Sequence, residues 1–180
     1  MDWLQEVQAR LKRRNQALFS KHSDYLQDLL LLFQEQDHRT MALWAFDFAG
    51  ETVGRLEEKY PDETRPREAL EAARAWAAGA VKMRFAQRKI LDCHAFAKEI
   101  SCKEDIAMCH AVGQACAVVH TAGHAIGYPI YDLTAIVYRE GIEHCAAAVE
   151  KRKQAYLDRL LDWQARLPDY PGSWADFMLK

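Results

Sequence analysis

The chain has 180 residues, half of them hydrophobic and 28% charged, with 8 glycines, 5 prolines and a formal net charge of -2. A chain of this length buries about two-thirds of its unfolded surface on folding and needs no disulfide or metal staple, and the composition excludes disordered, collagen-like and low-complexity classes. The weak net charge favours neither nucleic acid nor an anionic membrane as a partner.

Apolar residues recur at three and four positions throughout, and no stretch alternates with the two-residue period of a strand, so the elements are helices. The first is expected over 3–19 through Leu4, Val7, Leu11 and Leu18, with Arg10, Lys12, Arg13 and Arg14 as a solvated basic face lacking the aromatic residues of a nucleic-acid site. Ser23 or Asp24 is placed to cap a second, which buries Leu26, Leu29, Leu30 and Phe33. A third, about 39–60, carries Ala45, Ala49, Val53, Leu56 and Tyr60 on one side, flanked by Trp44 and Phe48, and Pro61 ends it. Pro66 suits the first turn of a fourth, Glu68 and Glu71 complement its dipole, and Gly79 offers a left-handed end after Leu70, Ala73, Trp76 and Ala77.

A fifth helix, about 83–100, buries Ala86, Ile90, Cys93, Ala97 and Ile100. Ser101 and Glu104 have capping-box spacing and open a sixth, expected to run to about Ile126. After Gly127 and Pro129 one long helix is expected from Ile130 to Leu167, then a loop over 168–173 and a short cap through Trp174 and Phe177. The fold class is therefore all-α, a single-domain bundle or two-layer array of about seven helices, mainly antiparallel neighbours. Asp2 stands where a secretory leader carries positive charge, no apolar leader follows, and the longest aliphatic run, Leu29 to Phe33, is far short of the roughly 20 residues of a membrane span. A cytoplasmic protein is expected, with its five cysteines reduced.

The sixth helix is where chemistry could reside. On one continuous helix, Cys109, Gly113, Cys116, His120, Gly123 and Gly127 share a face and His124 lies at its edge. Cys116 with His120, and His120 with His124, have the i to i+4 spacing of ligand pairs, and His94, Cys93 or His144 on neighbouring helices is a candidate third donor. The competing reading is close packing, in which glycines admit a neighbour and cysteine acts as a small hydrophobe. No Cys-x-x-Cys, His-Glu-x-x-His or paired Glu-x-x-His occurs, so no metal is favoured, no cofactor is expected and no catalytic residue is assigned. Asp47 and Asp132, each between apolar neighbours, read as exposed flanks or hydrogen-bonded helix residues, and Arg65 reads as a fastener of helix ends.

Leu43-Trp44-Ala45, Glu57, Pro61-Asp62, Arg65-Pro66, Ala69-Leu70, Ala75-Trp76-Ala77-Ala78-Gly79, Gly113-Gln114-Ala115, His120 and His124-Ala125 together resemble the immunity protein family of bacterial polymorphic toxin systems. The resemblance spans roughly 40–138, is most specific from Arg65 to Gly79, and divides the chain into an N-terminal helical extension (1–38), a family-like core (39–138) and a long C-terminal helix with its cap (139–180). It implies an all-α cytoplasmic protein that binds and neutralises a cognate toxin, with Arg65, Pro66, Trp76 and Gly79 as structural positions. The leading expectation is thus a non-enzymatic protein-binding module. The alternatives are a small metal-binding or enzymatic protein using Cys116, His120 and His124, and a homo-oligomeric structural protein, such as a homodimer, built through the terminal helices.

Overall fold

A computed structural model describes residues 2–180. Its eight α-helices are α1 (Trp3–Lys12), α2 (Gln27–Gln34), α3 (His38–Lys59), α4 (Arg65–Ala77), α5 (Met83–Phe96), α6 (Lys103–Ala117), α7 (Gly127–Glu140) and α8 (Ala146–Arg166), and no strand occurs among the described residues. The eighth helix arises because the expected single C-terminal helix is broken at Gly141, whose φ of 78° lies in the left-handed region that glycine enters freely. No helix is long and apolar enough to cross a membrane among the described residues.

The first helix also ends earlier than its apolar stripe suggests. It stops at Lys12, Arg14 turns to a φ of 57°, and Leu18 and Phe19 reach the core from non-helical chain. Distant support holds them there: the Leu18 N–H donates to Thr134 Oγ1 on α7 at 2.9 Å.

The largest correction concerns the sixth helix, which ends at Ala117 and not near Ile126. Val118 and Val119 are adjacent, β-branched and both fully buried, and a tight turn satisfies both. The backbone bonds there shorten to three-residue steps, Val118 to Ala115, Val119 to Cys116 and His120 to Ala117. His38 at the start of α3 donates its Nε2–H to the Val118 carbonyl at 2.6 Å, occupying an acceptor that the lost helix leaves open. A short 3-10 turn, Ala122–Ile126, then leads into α7, where Pro129 sits in the first turn and needs no N–H partner. The expected capping box is absent as well. Cys102 holds the cap position, and Glu104 instead faces Arg55 and Arg139, at 3.1 and 3.6 Å.

α6 packs against α3, α4, α5 and α7, while α8 lies on α3 and α7. One cluster of buried side chains runs from Val7 to Met178. Its centre is Trp44, ringed by Phe33, Phe48, Tyr128 and Tyr156 at centroid distances of 4.7, 5.0, 6.0 and 5.8 Å. The indole N–H donates to the Tyr156 carbonyl at 3.0 Å, so this bulky ring is buried without an orphaned donor.

Candidate functional site

The break in α6 divides the cysteine and histidine face in two. Cys109, Gly113 and Cys116 stay on the helix and are buried, whereas His120 emerges exposed and His124 half-buried on the turn that follows. Cys116 does not converge with the two histidines into a ligand set: the one trio of His, Cys, Asp or Glu ligand atoms lying within 4.8 Å of one another among the described residues is Cys102, Glu104 and Asp105. Two of the three, Cys102 and Asp105, meet an ammonium, while Glu104 pairs with Arg55 and Arg139. Lys59 Nζ lies 2.7 Å from the fully buried Asp105 carboxylate and 3.5 Å from Cys102 Sγ, and Tyr60 donates to Asp105 at 2.5 Å, so the knot is already charge-balanced and joins α3 to α6.

Burial governs the thiols on α6 and α5. It pushes Cys109 and Cys116 up to about 12 and raises Cys93 well above its ordinary value too. A cysteine nucleophile needs the thiolate, and desolvation holds these three in the thiol form. They fill space as small apolar groups, with Cys93 Sγ 3.5 Å from the Cys109 carbonyl.

His94 has a different task from ligation. Its ring lies directly on Gly113, where a β-carbon would overlap Nε2 and Cε1, and this close approach explains the glycine. His94 and His110 stack at 5.0 Å with their Nδ1 atoms 2.8 Å apart, and Gln16 Nε2 is 2.7 Å from His110 Nε2. Gln16 donating to His110 fixes the proton of His110 on Nδ1, which then donates to His94. Burial, then His94 and Lys98, lower His110 to about 4, and burial followed by Lys98 also lowers His94. The chain of three ties the N-terminal segment to α5 and α6 as neutral groups.

His120 and His124 instead border an open groove of about 360 Å³, lined by Trp76 from α4, Gln87, Ile90 and Leu91 from α5, and Ala117, His120 and His124 from the end of α6 and its turn. The Trp76 and His120 rings are near-parallel at 28° with centroids 6.3 Å apart, and the His120 and His124 centroids are 6.5 Å apart. Burial and the neighbouring His120 lower His124, so a neutral imidazole faces the groove at neutral pH. Leu91 is 67% exposed at its edge, and no carboxylate lines it. The groove has an aromatic and aliphatic floor with two imidazoles on its rim.

The remaining candidates shape this region from outside. Arg65 donates to Glu63 at 2.7 Å and to Glu99 at 2.6 and 2.8 Å while lying 5.1 Å from the Phe96 ring centroid, so it joins the start of α4 to the end of α5. Pro66 occupies the first turn of α4. Gly79, at φ 80°, ends α4: its N–H bonds to Trp76 and that of Ala80 to Ala75, returning the chain towards α5. Trp76 is held from its other side by Phe177 of the C-terminal segment, whose Ala175 N–H donates to the Ala77 carbonyl at 2.7 Å.

Sequence reasoning missed the largest polar network. Asp132, 5% exposed, accepts from Arg152 at 2.6 Å and from Tyr156 at 2.5 Å; Arg152 also reaches Glu51 at 2.8 Å and Tyr128 at 3.1 Å. Tyr128 Oη further lies 2.7 Å from Thr52 Oγ1, and Asp47 accepts from the Trp163 indole at 3.1 Å. The spacing from Asp132 to Arg152 spans the unforeseen break at Gly141, so no helical register connected them.

A family model described as "Imm-5 like putative immunity protein" matches residues 31–159. The match is wider at both ends than the 40–138 of the sequence resemblance and takes in α3 through most of α8, with every groove residue inside it. No curated protein and no solved structure matches the chain. With a family match over well more than half of its length, the chain belongs to the Imm-5 like immunity protein family.

Proposed function

We propose that the protein is a non-enzymatic immunity protein that binds a cognate toxin and neutralises it. The observation that carries this reading is the family match over 31–159. The chemistry of the interior supports it: the thiols of the Cys/His helix are buried and held protonated, and the buried carboxylates Asp132 and Asp105 are both neutralised by cations of the fold. Among the open grooves on the surface, the one lined by Trp76, Leu91, His120 and His124 carries no carboxylate and suits recognition of another protein's side chains. Binding is placed in the cytoplasm, where such a toxin would act on the producing cell, and requires no cofactor.

Co-expression with the toxin domains encoded beside the gene tests the reading. Cells carrying the matching toxin and this protein are expected to survive, and the two proteins to copurify. Toxicity undiminished for every neighbouring toxin contradicts it.

A further inference from the structure

The exposed side of α5 combines arginines that meet no counter-ion with two residues of the aromatic groove. Arg84, Gln87, Arg88 and Leu91 follow the i, i+3, i+4, i+7 pattern and so form one stripe. Gln87 and Leu91 line the groove against Trp76, His120 and His124, and Arg84 and Arg88 stand exposed beside them on the same stripe. Of the α5 cations, Lys89 is bonded to Glu68 at 2.6 Å, whereas Arg84 and Arg88, like Lys82 just before the helix, have no ion-pair partner among the described residues. Asp92 is the one acid on α5 and lines no part of the groove. Met83 and Phe85 add apolar surface beside the stripe, 43% and 48% exposed.

Nine of the chain's fourteen arginines are paired within the fold; Arg13 and Arg14 after α1, and Arg74, which lies 5.9 Å from the Phe46 ring centroid, also meet no carboxylate among the described residues. Arg10, Arg39, Arg55, Arg65, Arg67, Arg139, Arg152, Arg159 and Arg166 all meet carboxylates within 4.0 Å. Unpaired guanidinium groups beside an apolar groove form half of a complementary surface, and arginine with aromatic residues is the composition of interface hot spots.

Resting on the toxin-neutralising reading, we infer that this face is the docking surface, and that its occupant is an acidic segment of the toxin that lays an apolar side chain into the Trp76–Leu91–His120 groove and places carboxylates against Arg84 and Arg88. The imidazole N–H groups of His120 and His124 are further donors for those carboxylates. Charge complementarity selects the partner: the groove has cations beside it, donors on its edge and no acid within it.

The test uses the toxin that the protein protects against and measures its affinity by calorimetry for four full-length proteins: wild type, Arg84→Glu/Arg88→Glu, Leu91→Glu, and Lys12→Glu as a control on α1. Wild type and Lys12→Glu are expected to bind alike. The double reversal should weaken binding by at least about a hundredfold, Leu91→Glu by at least about tenfold, and wild-type affinity should fall as salt is raised to about 0.5 M. Wild-type binding that survives both α5 variants overturns this inference alone. No toxin bound by the wild type overturns the toxin-neutralising reading and this inference with it. Two other occupants are read in parallel: a molar mass in light scattering that halves in Leu91→Glu with toxin binding intact makes the face a self-interface, and tight binding of a single-stranded oligonucleotide lost on the double reversal makes it a nucleic-acid site. Either result overturns the acidic-segment inference.

Discussion

The two sides of the molecule use arginine in opposite ways. Where α3, α7 and α8 meet, Arg152 is spent on the fold: it neutralises Asp132 and Glu51, donates to Tyr128, and lies 4.7 Å from the Phe48 ring centroid. On α5, Arg84 and Arg88 are exposed and form no ion pair within 4.0 Å among the described residues, Asp92 one turn after Arg88 included. The first arrangement stabilises at the expense of availability, because a buried charge tolerates no competing partner. The second contributes little to stability and leaves full electrostatic reach for an encounter. Charge count alone does not distinguish them; what does is whether the fold itself supplies the counter-ion.

The contrast is broken most severely at Arg152. Arg152→Met leaves the buried Asp132 carboxylate with Tyr156 as its remaining hydrogen-bond donor, and equilibrium urea unfolding should show a loss of about 3–5 kcal/mol. A change within about 0.5 kcal/mol would show that the network is dispensable. Next comes Gly113→Ala, whose new methyl displaces the His94 ring from its bond to His110; a loss of about 1–3 kcal/mol is expected. In Gly113→Ala/His94→Ala the methyl meets no ring, so a double-mutant cycle should show strong positive coupling.

A smaller effect is expected with pH. His110 titrates near 4 in the fold against an ordinary 6.5, and His94 and His124 are lowered too, so the unfolded chain binds more protons than the folded one in this window. Their stabilisation is complete above the unfolded value and is lost as pH falls from 6.5 towards 4. The ion-paired carboxylates, such as Glu57 lowered from 4.5 by its bonds to Arg67, add their own loss as pH falls from about 4.5, below the window from 6.5 to 5. Urea midpoints between pH 6.5 and 5 should therefore decline in wild type and decline less steeply in His110→Gln; equal slopes would remove the histidine stack from the account. The smallest stability effect belongs to Arg84→Glu/Arg88→Glu, expected to stay within about 0.5 kcal/mol of wild type. A larger loss would place those arginines in the fold and end the contrast.

How much of this was legible depended on whether a local signal existed. The extent of α3 and the ends of α4 followed from periodicity, Pro61, Pro66 and Gly79, since proline and glycine act through their own backbones. Gly141 was an equally local signal, and the apolar stripe running through it from Val137 to Tyr156 masked it. The end of α6 had no such marker. Val118 and Val119 end the helix through what they bury against, and His38, 80 residues away, accommodates the end, so the information is tertiary. That break moved His120 from the packed seam of Cys109 and Cys116 to the groove rim. Trp76, His120 and His124 were all visible as candidates; their meeting around Leu91 was not, because it needs α4, α5 and the turn after α6 in place together.

On the reading proposed above, the face bordered by Arg84, Arg88 and the Trp76–His120 groove serves toxin binding and not the fold. The most direct test is survival of cells co-expressing the cognate toxin with wild type or Arg84→Glu/Arg88→Glu, alongside the thermal melts of the two purified proteins. Superimposable melts with protection lost in the double variant are the predicted result; superimposable melts with protection retained would contradict it.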